Sequence, residues 1–397
     1  MIPAAHAPAP PAAGPAFVAT ACALMALVSL SIDAILPGLH SMASELGVAD
    51  GNRRQWVITA LFLGLATGQL VYGPLSDSWG RRRAILLGVA VFSAGSLLSA
   101  TAQSYEAMLA GRVIQSFGVA GPRTVTVAMI RDRFEGAAMA RLMSAIMSIF
   151  IMVPVLAPGL GQLILLVADW RLLFVLVMLF GWGATLALIL LVPERTITRP
   201  PFSLSATRAA AVAVLRHPRA MAVTVAAGCI YGALMGYVNS SEQIFHGVFE
   251  TGALYPVWFG ALAIFMAAAT ITNRVLLKTH SMRAICSMAL VVHCLWSALA
   301  LTAECATSGL SLSVFLACNA VTLFALGLTF GNVSAMALHP FGAIAGAAAA
   351  VQATVQTLVS LCAAAIIGNL FDGTLVPVLA GYLVMGMVAL GLMRYRS

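Results

Sequence analysis

Twelve apolar runs, each long enough to cross a bilayer as a helix, leave this chain few ways to fold. They lie near 17–39, 56–76, 84–101, 106–128, 139–164 and 170–192, then near 220–241, 251–272, 284–302, 309–330, 343–368 and 373–393. A helix of about 20 apolar residues spans the hydrocarbon core. Backbone groups in that solvent must be bonded internally, so spanning segments are helices or closed barrels. Barrel strands would read as runs of about ten residues with alternating polarity, and these runs are longer and apolar nearly all round. Composition agrees: 61% of the residues are hydrophobic and 9% charged, with a mean hydropathy of +0.99, against about 25% charge in soluble domains. The expected fold is an all-α membrane protein.

The basic residues orient it. With an even number of spans, both termini fall on one side and the connections alternate between faces. One face then receives sixteen basic residues, among them Arg81, Arg82, Arg83, Arg131, Arg133, Arg274, Lys278, Arg283 and Arg394. The other face receives Arg53, Arg54 and Arg171. The positive-inside rule puts the rich face, and both termini, in the cytoplasm. The net charge of +8 is spread in short clusters between apolar runs, which argues against a nucleic-acid partner. The first residues, MIPAAHAPAPPAAGP, lack the basic start of a signal peptide and read as a flexible tail over 1–16. The seven cysteines contain no CxxC pair and read as small buried hydrophobes, with no metal site, disulfide scaffold or cofactor.

The longest polar break, 193–219, holds five arginines and four prolines. It reads as a linker between a first half, 17–192, and a second half, 220–397. Two six-helix halves around a central pathway are a transporter layout. There is no phosphate-binding G-x-x-x-x-G-K-[ST] loop and no loop large enough for an ATPase domain. Any pumping is expected to draw on ions or on the substrate's own gradient.

Scarce charge gathers at GPLSDSWGRRRAIL, from Gly73 to Leu86. Gly73 permits close helix approach, and Gly80 permits a tight turn with positive φ. Asp77 can pair with an arginine or cap a helix. This stretch resembles the signature loop between helices 2 and 3 of the major facilitator superfamily, with Gly73, Asp77, Gly80, Arg81 and Arg82 at the matching positions. Ser78 stands where a basic residue is frequent. The resemblance implies the major facilitator fold, twelve spans in two six-helix halves, and a gate role for Asp77 and Arg81; topology anchoring alone is the plainer reading. It also places Asp77 opposite the positive end of helix 11, near Pro340, Gly342, Ala345 and Gly346.

Two charges stand inside apolar runs. Asp33 lies in ALVSLSIDAILPGLH. Intramembrane carboxylates usually face a protein interior or a watery cavity. Removal from water favours the neutral acid, so Asp33 is expected either to exchange a proton or to sit as a structurally paired or interfacial acid. Its spacing to Pro37 is similar to the start of the Bcr/CflA drug-resistance branch of that superfamily. Arg112 opens RVIQSFGVAGPR, where Arg112, Gln115 and Gly118 resemble the fourth-helix motif of proton-driven members. Arg112 is expected to tune a nearby acid or to form a fixed ion pair. Arg123 reads as cavity-lining or cytoplasmic-edge. In MVPVLAPGLGQLI, Pro154, Pro158, Gly159 and Gly161 resemble the helix 5 antiporter signature; prolines bend a helix and glycines allow close packing. Asn239, Asn319, Asn332, Gln352 and Gln356 are candidates for the cavity or for interhelical hydrogen bonds, and Glu242 for a surface or gate position.

The resemblance thus implies a multi-pass bacterial inner-membrane protein, functional as a monomer, that exports small lipophilic compounds in exchange for protons. A metabolite symporter or facilitator, and a non-transporting receptor or scaffold, are the alternatives. No nucleophile with a base and no clustered His/Asp site argues for an enzyme.

Overall fold

The computed structural model describes residues 14–48, 52–134, 136–193, 204–307 and 309–394. Most of the tail expected at 1–16, part of the linker, and Arg195, Arg199 and Arg396 lie outside them. The described chain is helical throughout: α1 (Pro15–Asp33), α2 (Leu39–Glu45), α3 (Trp56–Trp79), α4 (Arg81–Ala100), α5 (Tyr105–Arg133), α6 (Gly136–Leu165), α7 (Arg171–Leu191), α8 (Leu204–Leu215), α9 (Pro218–Gln243), α10 (Tyr255–Leu276), α11 (Met282–Thr307), α12 (Leu312–Leu338), α13 (Ala345–Asn369) and α14 (Val376–Arg394). Ten stretches among the described residues are long and apolar enough to cross a membrane. Helices α5 and α6 are also long, at 29 and 30 residues, and α5 carries Arg112 and Arg123 within it.

Local chemistry sets the boundaries. Pro15 opens α1, where its missing N–H costs nothing. That helix stops at Asp33, and a short 3₁₀ turn containing Pro37 leads into α2, so the first apolar run is a broken helix. Ser104 caps α5 by accepting from Ala107 N at 3.2 Å, with Glu106 in its first turn and Arg131 and Arg133 in its last. Gly80 separates α3 from α4 with φ 114°, the left-handed region expected of it. Helix α8 lies inside the segment expected to be linker. Its Ala-rich, proline-free sequence favours helix although prolines flank it.

The helices pack as two groups, α1 to α7 and α9 to α14, which meet along α3 with α13 and α6 with α10. Thr354 donates to the Ala66 carbonyl at 3.2 Å across the first seam. At the second, a side chain at Gly260 would press on the Val155 carbonyl. In the first group Arg81, Arg82 and Arg133 gather with the ends of α5 and α7 at an arginine-rich end, and Arg53, Arg54 and Arg171 lie at the other, arginine-poor end.

Candidate functional site

Asp33 closes α1 and is 5% exposed. Ser29, one turn earlier, donates to its carboxylate at 2.5 Å. Arg123 of α5 is half-buried, and Tyr231 belongs to α9. Tyr231 packs edge-on against Phe62 of α3 at 6.2 Å and Phe330 of α12 at 5.7 Å. An aromatic wall therefore stands where the two groups meet. Sequence reasoning missed Tyr231 and its two phenylalanines, because aromatic residues in apolar runs carry no sign of which face they take.

Arg112 is fully buried. It donates to the Val57 carbonyl at 3.2 Å, to Gln115 Oε1 at 2.5 Å and to the Ser31 carbonyl at 2.8 Å, and its guanidinium lies over the Phe174 ring at 5.6 Å. Gln115 passes the chain on to Ser96 Oγ at 2.9 Å. No ion pair joins Arg112 to Asp33 among the described residues. The fixed ion pair considered from sequence is replaced by carbonyl and amide partners, since the broken α1 turns the Ser31 carbonyl toward Arg112, two residues before Asp33.

At the arginine-rich end, α4 begins with three consecutive arginines at the positive pole of its own dipole. Acids and carbonyls offset this. Arg81 donates to Asp77 at 2.5 Å, to Asp132 at 2.8 and 3.2 Å, and to Ser76 Oγ at 2.6 Å. Arg82 donates to the Val192 carbonyl at the end of α7. All of these partners belong to the first group. Gly73 faces Ala350 of α13, and a side chain at Gly346 would meet the Arg131 guanidinium. Arg131 thus lies against the start of α13, while Asp77 is bound by Arg81 of its own group.

In α6, Pro154 and Pro158 are accommodated without interrupting the helix. Gly161 lies against the Ala34 carbonyl, where a side chain would collide. Gly159 faces open space, so the packing role expected of both glycines belongs to Gly161 alone. Among the amides, Asn332 exchanges hydrogen bonds with Asn273 (2.7 and 3.3 Å) and donates to the Leu328 carbonyl, tying α12 to α10. Asn319 accepts from Tyr382 Oη at 2.8 Å, tying α12 to α14. Asn239 and Gln352 are buried, and Gln356 is half-buried. Of the seven cysteines, Cys305 and Cys362 are exposed and Cys294 and Cys318 are intermediate, which corrects the uniform expectation of buried cysteines.

The arginine-poor end holds a polar seam that the sequence only hinted at. Arg54 pairs with Glu242 at 3.1 Å and lies 3.0 Å from His40 Nδ1. Gln55 donates to Gln243 Oε1, and Gln243 donates to Asn52 Oδ1 at 3.1 Å. Asn52 donates to the carbonyls of Phe371 and Asn369 at 2.8 and 3.2 Å. Every one of these inter-residue links except Arg54–His40 crosses between the groups. The available signal was NRRQ before α3 facing SSEQ at the end of α9, two polar clusters at like positions in the two groups.

Comparison with known proteins gives this arrangement its place. Residues 21–365 match the profile of the Major Facilitator Superfamily. The chain is 28% identical over 242 residues to an uncharacterized MFS-type transporter, YdgK, of Bacillus subtilis, covering 60% of each chain. It is 28% identical over 235 residues to a bicyclomycin resistance protein homolog of Haemophilus influenzae, covering 59% of each; the alignments thus span about three fifths of these two relatives. Multidrug resistance protein MdtL of Klebsiella pneumoniae is 27% identical over 390 residues, with 94% of each chain covered. Among solved structures, a D-xylose-proton symporter superposes with a TM-score of 0.69 at 14% identity, over 96% of this chain and 97% of that one. The human organic anion transporter MFSD10 gives 0.68 at 17% identity, over 95% and 98%; at such identity the likeness concerns the fold. The chain belongs to the Major Facilitator Superfamily and is a multi-spanning membrane protein.

Proposed function

We propose that this transporter exports small, lipophilic, drug-like compounds across the bacterial inner membrane in exchange for protons, by alternating access. The observation that carries the reading is Asp33: an acid buried at the end of the broken α1 and held by Ser29, in a fold whose two groups are joined by an aromatic wall. An intramembrane acid can bind a proton or a substrate but not both, and that exclusion is the basis of exchange. Aromatic faces and few fixed polar groups suit lipophilic compounds, cationic ones included. Similarity to a bicyclomycin resistance protein homolog and to a multidrug resistance protein supports the drug-resistance branch, Bcr/CflA.

In this reading α5 and α6 complete twelve spans, six in each half. The halves are 17–192 and 220–397, joined by 193–219, with 1–16 as a tail and both termini cytoplasmic. Arg112 holds the broken end of α1 and thereby positions Asp33. Gly73, Asp77, Gly80, Arg81 and Arg82 form the cytoplasmic gate; Pro154, Pro158 and Gly161 give α6 its bend and contact. Gln115, Arg123, Asn239, Gln352 and Gln356 border the pathway. The seam of Asn52, Arg54, Gln55, Glu242, Gln243 and Asn369 closes the periplasmic end, which suits a cytoplasm-facing state. The protein acts as a monomer, needs no cofactor or metal, and binds no nucleic acid.

The test is proton release from the reconstituted protein on addition of lipophilic cations and neutral antibiotics, with Asp33→Asn alongside. Release that vanishes in the variant supports exchange at Asp33. Proton uptake together with substrate would instead make the protein a symporter, and proton release retained in Asp33→Asn would remove the coupling role from Asp33.

A further inference from the structure

We propose that α8 is a binding surface for the anionic headgroups of membrane phospholipids. Residues 204–219, LSATRAAAVAVLRHPR, contain three arginines and no Asp or Glu. Arg208, Val212 and Leu215 stand at i, i+4 and i+7, so they share one face of the helix. All three are exposed, and so are Arg216 and Arg219 just beyond. Leu215 is 51% exposed and Val212 37%, which gives the face an apolar strip flanked by cations.

The other face fixes the helix in place. Val214, fully buried, and Ala211 pack with Phe341, Ala348 and Val351. Ala348 and Val351 belong to the first two turns of α13, so α8 sits within about 9 Å of that helix's end. The polar zone of a bilayer occupies roughly the outermost 5–8 Å on each side. An amphipathic helix held at that depth, with basic and apolar side chains facing out, has the composition of an interfacial helix. Its charge complements an anionic leaflet, where each basic residue strengthens association about fivefold. Helix α13 also carries the Thr354–Ala66 contact between the groups. A lipid bound on α8 therefore rests against a helix that takes part in the seam between the groups.

The experiment titrates the purified full-length protein with phosphatidylglycerol or phosphatidylcholine of matched chains and counts bound lipids by native mass spectrometry. The native sequence is expected to prefer phosphatidylglycerol. R208Q/R216Q/R219Q is expected to lose that preference by up to roughly 100-fold, R208K/R216K/R219K to keep it, and Lys278→Gln, exposed at the same end, to keep it also. An unchanged unfolding temperature marks the variants as folded. Equal binding of the two lipids by the native protein would overturn the proposal. So would a retained preference in the glutamine variant, or a dimer that this variant abolishes, which would assign the face to a second copy of the chain. The readout contains no transport step, so its failure is distinguishable from failure of the transport reading.

Discussion

At the scale of single residues, Arg112 shows what burial demands. Its guanidinium remains charged and is answered by two carbonyls, an amide oxygen and an aromatic face. Arg112→Met keeps the bulk and leaves those acceptors unpaired, at about 1–3 kcal/mol for each buried group. A clearly lower unfolding temperature in detergent is expected, with Arg112→Lys in between; an Arg112→Met protein as stable as the native one would contradict this. The glycines of α6 make a paired prediction. Gly161→Val drives a side chain into the Ala34 carbonyl, at about 1–3 kcal/mol. Gly159→Ala meets nothing and, in a helix, is neutral or stabilising by up to about 1 kcal/mol. Melting curves of the two variants side by side decide it. The motif in the sequence pointed to Arg112 and Gln115 because charge in an apolar run is rare. It could not name their partners, since a backbone carbonyl has no signature in the sequence.

At the scale of elements, long apolar runs translated almost directly into helices, because spanning is a local property of length and hydropathy. The run near 106–128 became Tyr105–Arg133 and the run near 284–302 became Met282–Thr307. The misreadings have local causes too: Pro37 breaks the first run, and flanking prolines hid α8. The polar seam at the arginine-poor end was the least legible, because it joins residues nearly two hundred or more positions apart. Its central pair, Arg54 with Glu242, has side chains 18% and 3% exposed. Removing one partner of a buried charge pair costs about 2–5 kcal/mol. Glu242→Gln is therefore expected to shift the population toward opening at this end. Spin labels at Ser44 and Thr374, both exposed there, would read a longer distance in the variant than in the native protein. An unchanged distance distribution would remove the seam from the gating account.

At the scale of the whole molecule, an all-helical, multi-spanning protein was readable from the long apolar runs, and ten apolar stretches among the described residues accord with it. What the sequence could not supply was the junction between the two groups, where Tyr231 packs against Phe62 and Phe330, because it depends on how the groups face one another. The uneven distribution of arginines predicts that a fluorescent protein fused to the C-terminus lights up in the cytoplasm and that alkaline phosphatase at the same place stays inactive; the reverse pattern would invert the whole orientation. The central claim is that a proton gradient is spent moving a compound the other way through this junction. The most direct measurement imposes an acid-outside gradient on proteoliposomes preloaded with a lipophilic cation at equal concentration on both sides, with the cytoplasmic face inward. The account predicts net export against the growing concentration gradient, abolished by a protonophore and by Asp33→Asn. Export that never passes equilibrium, in the native protein as in the variant, would contradict it.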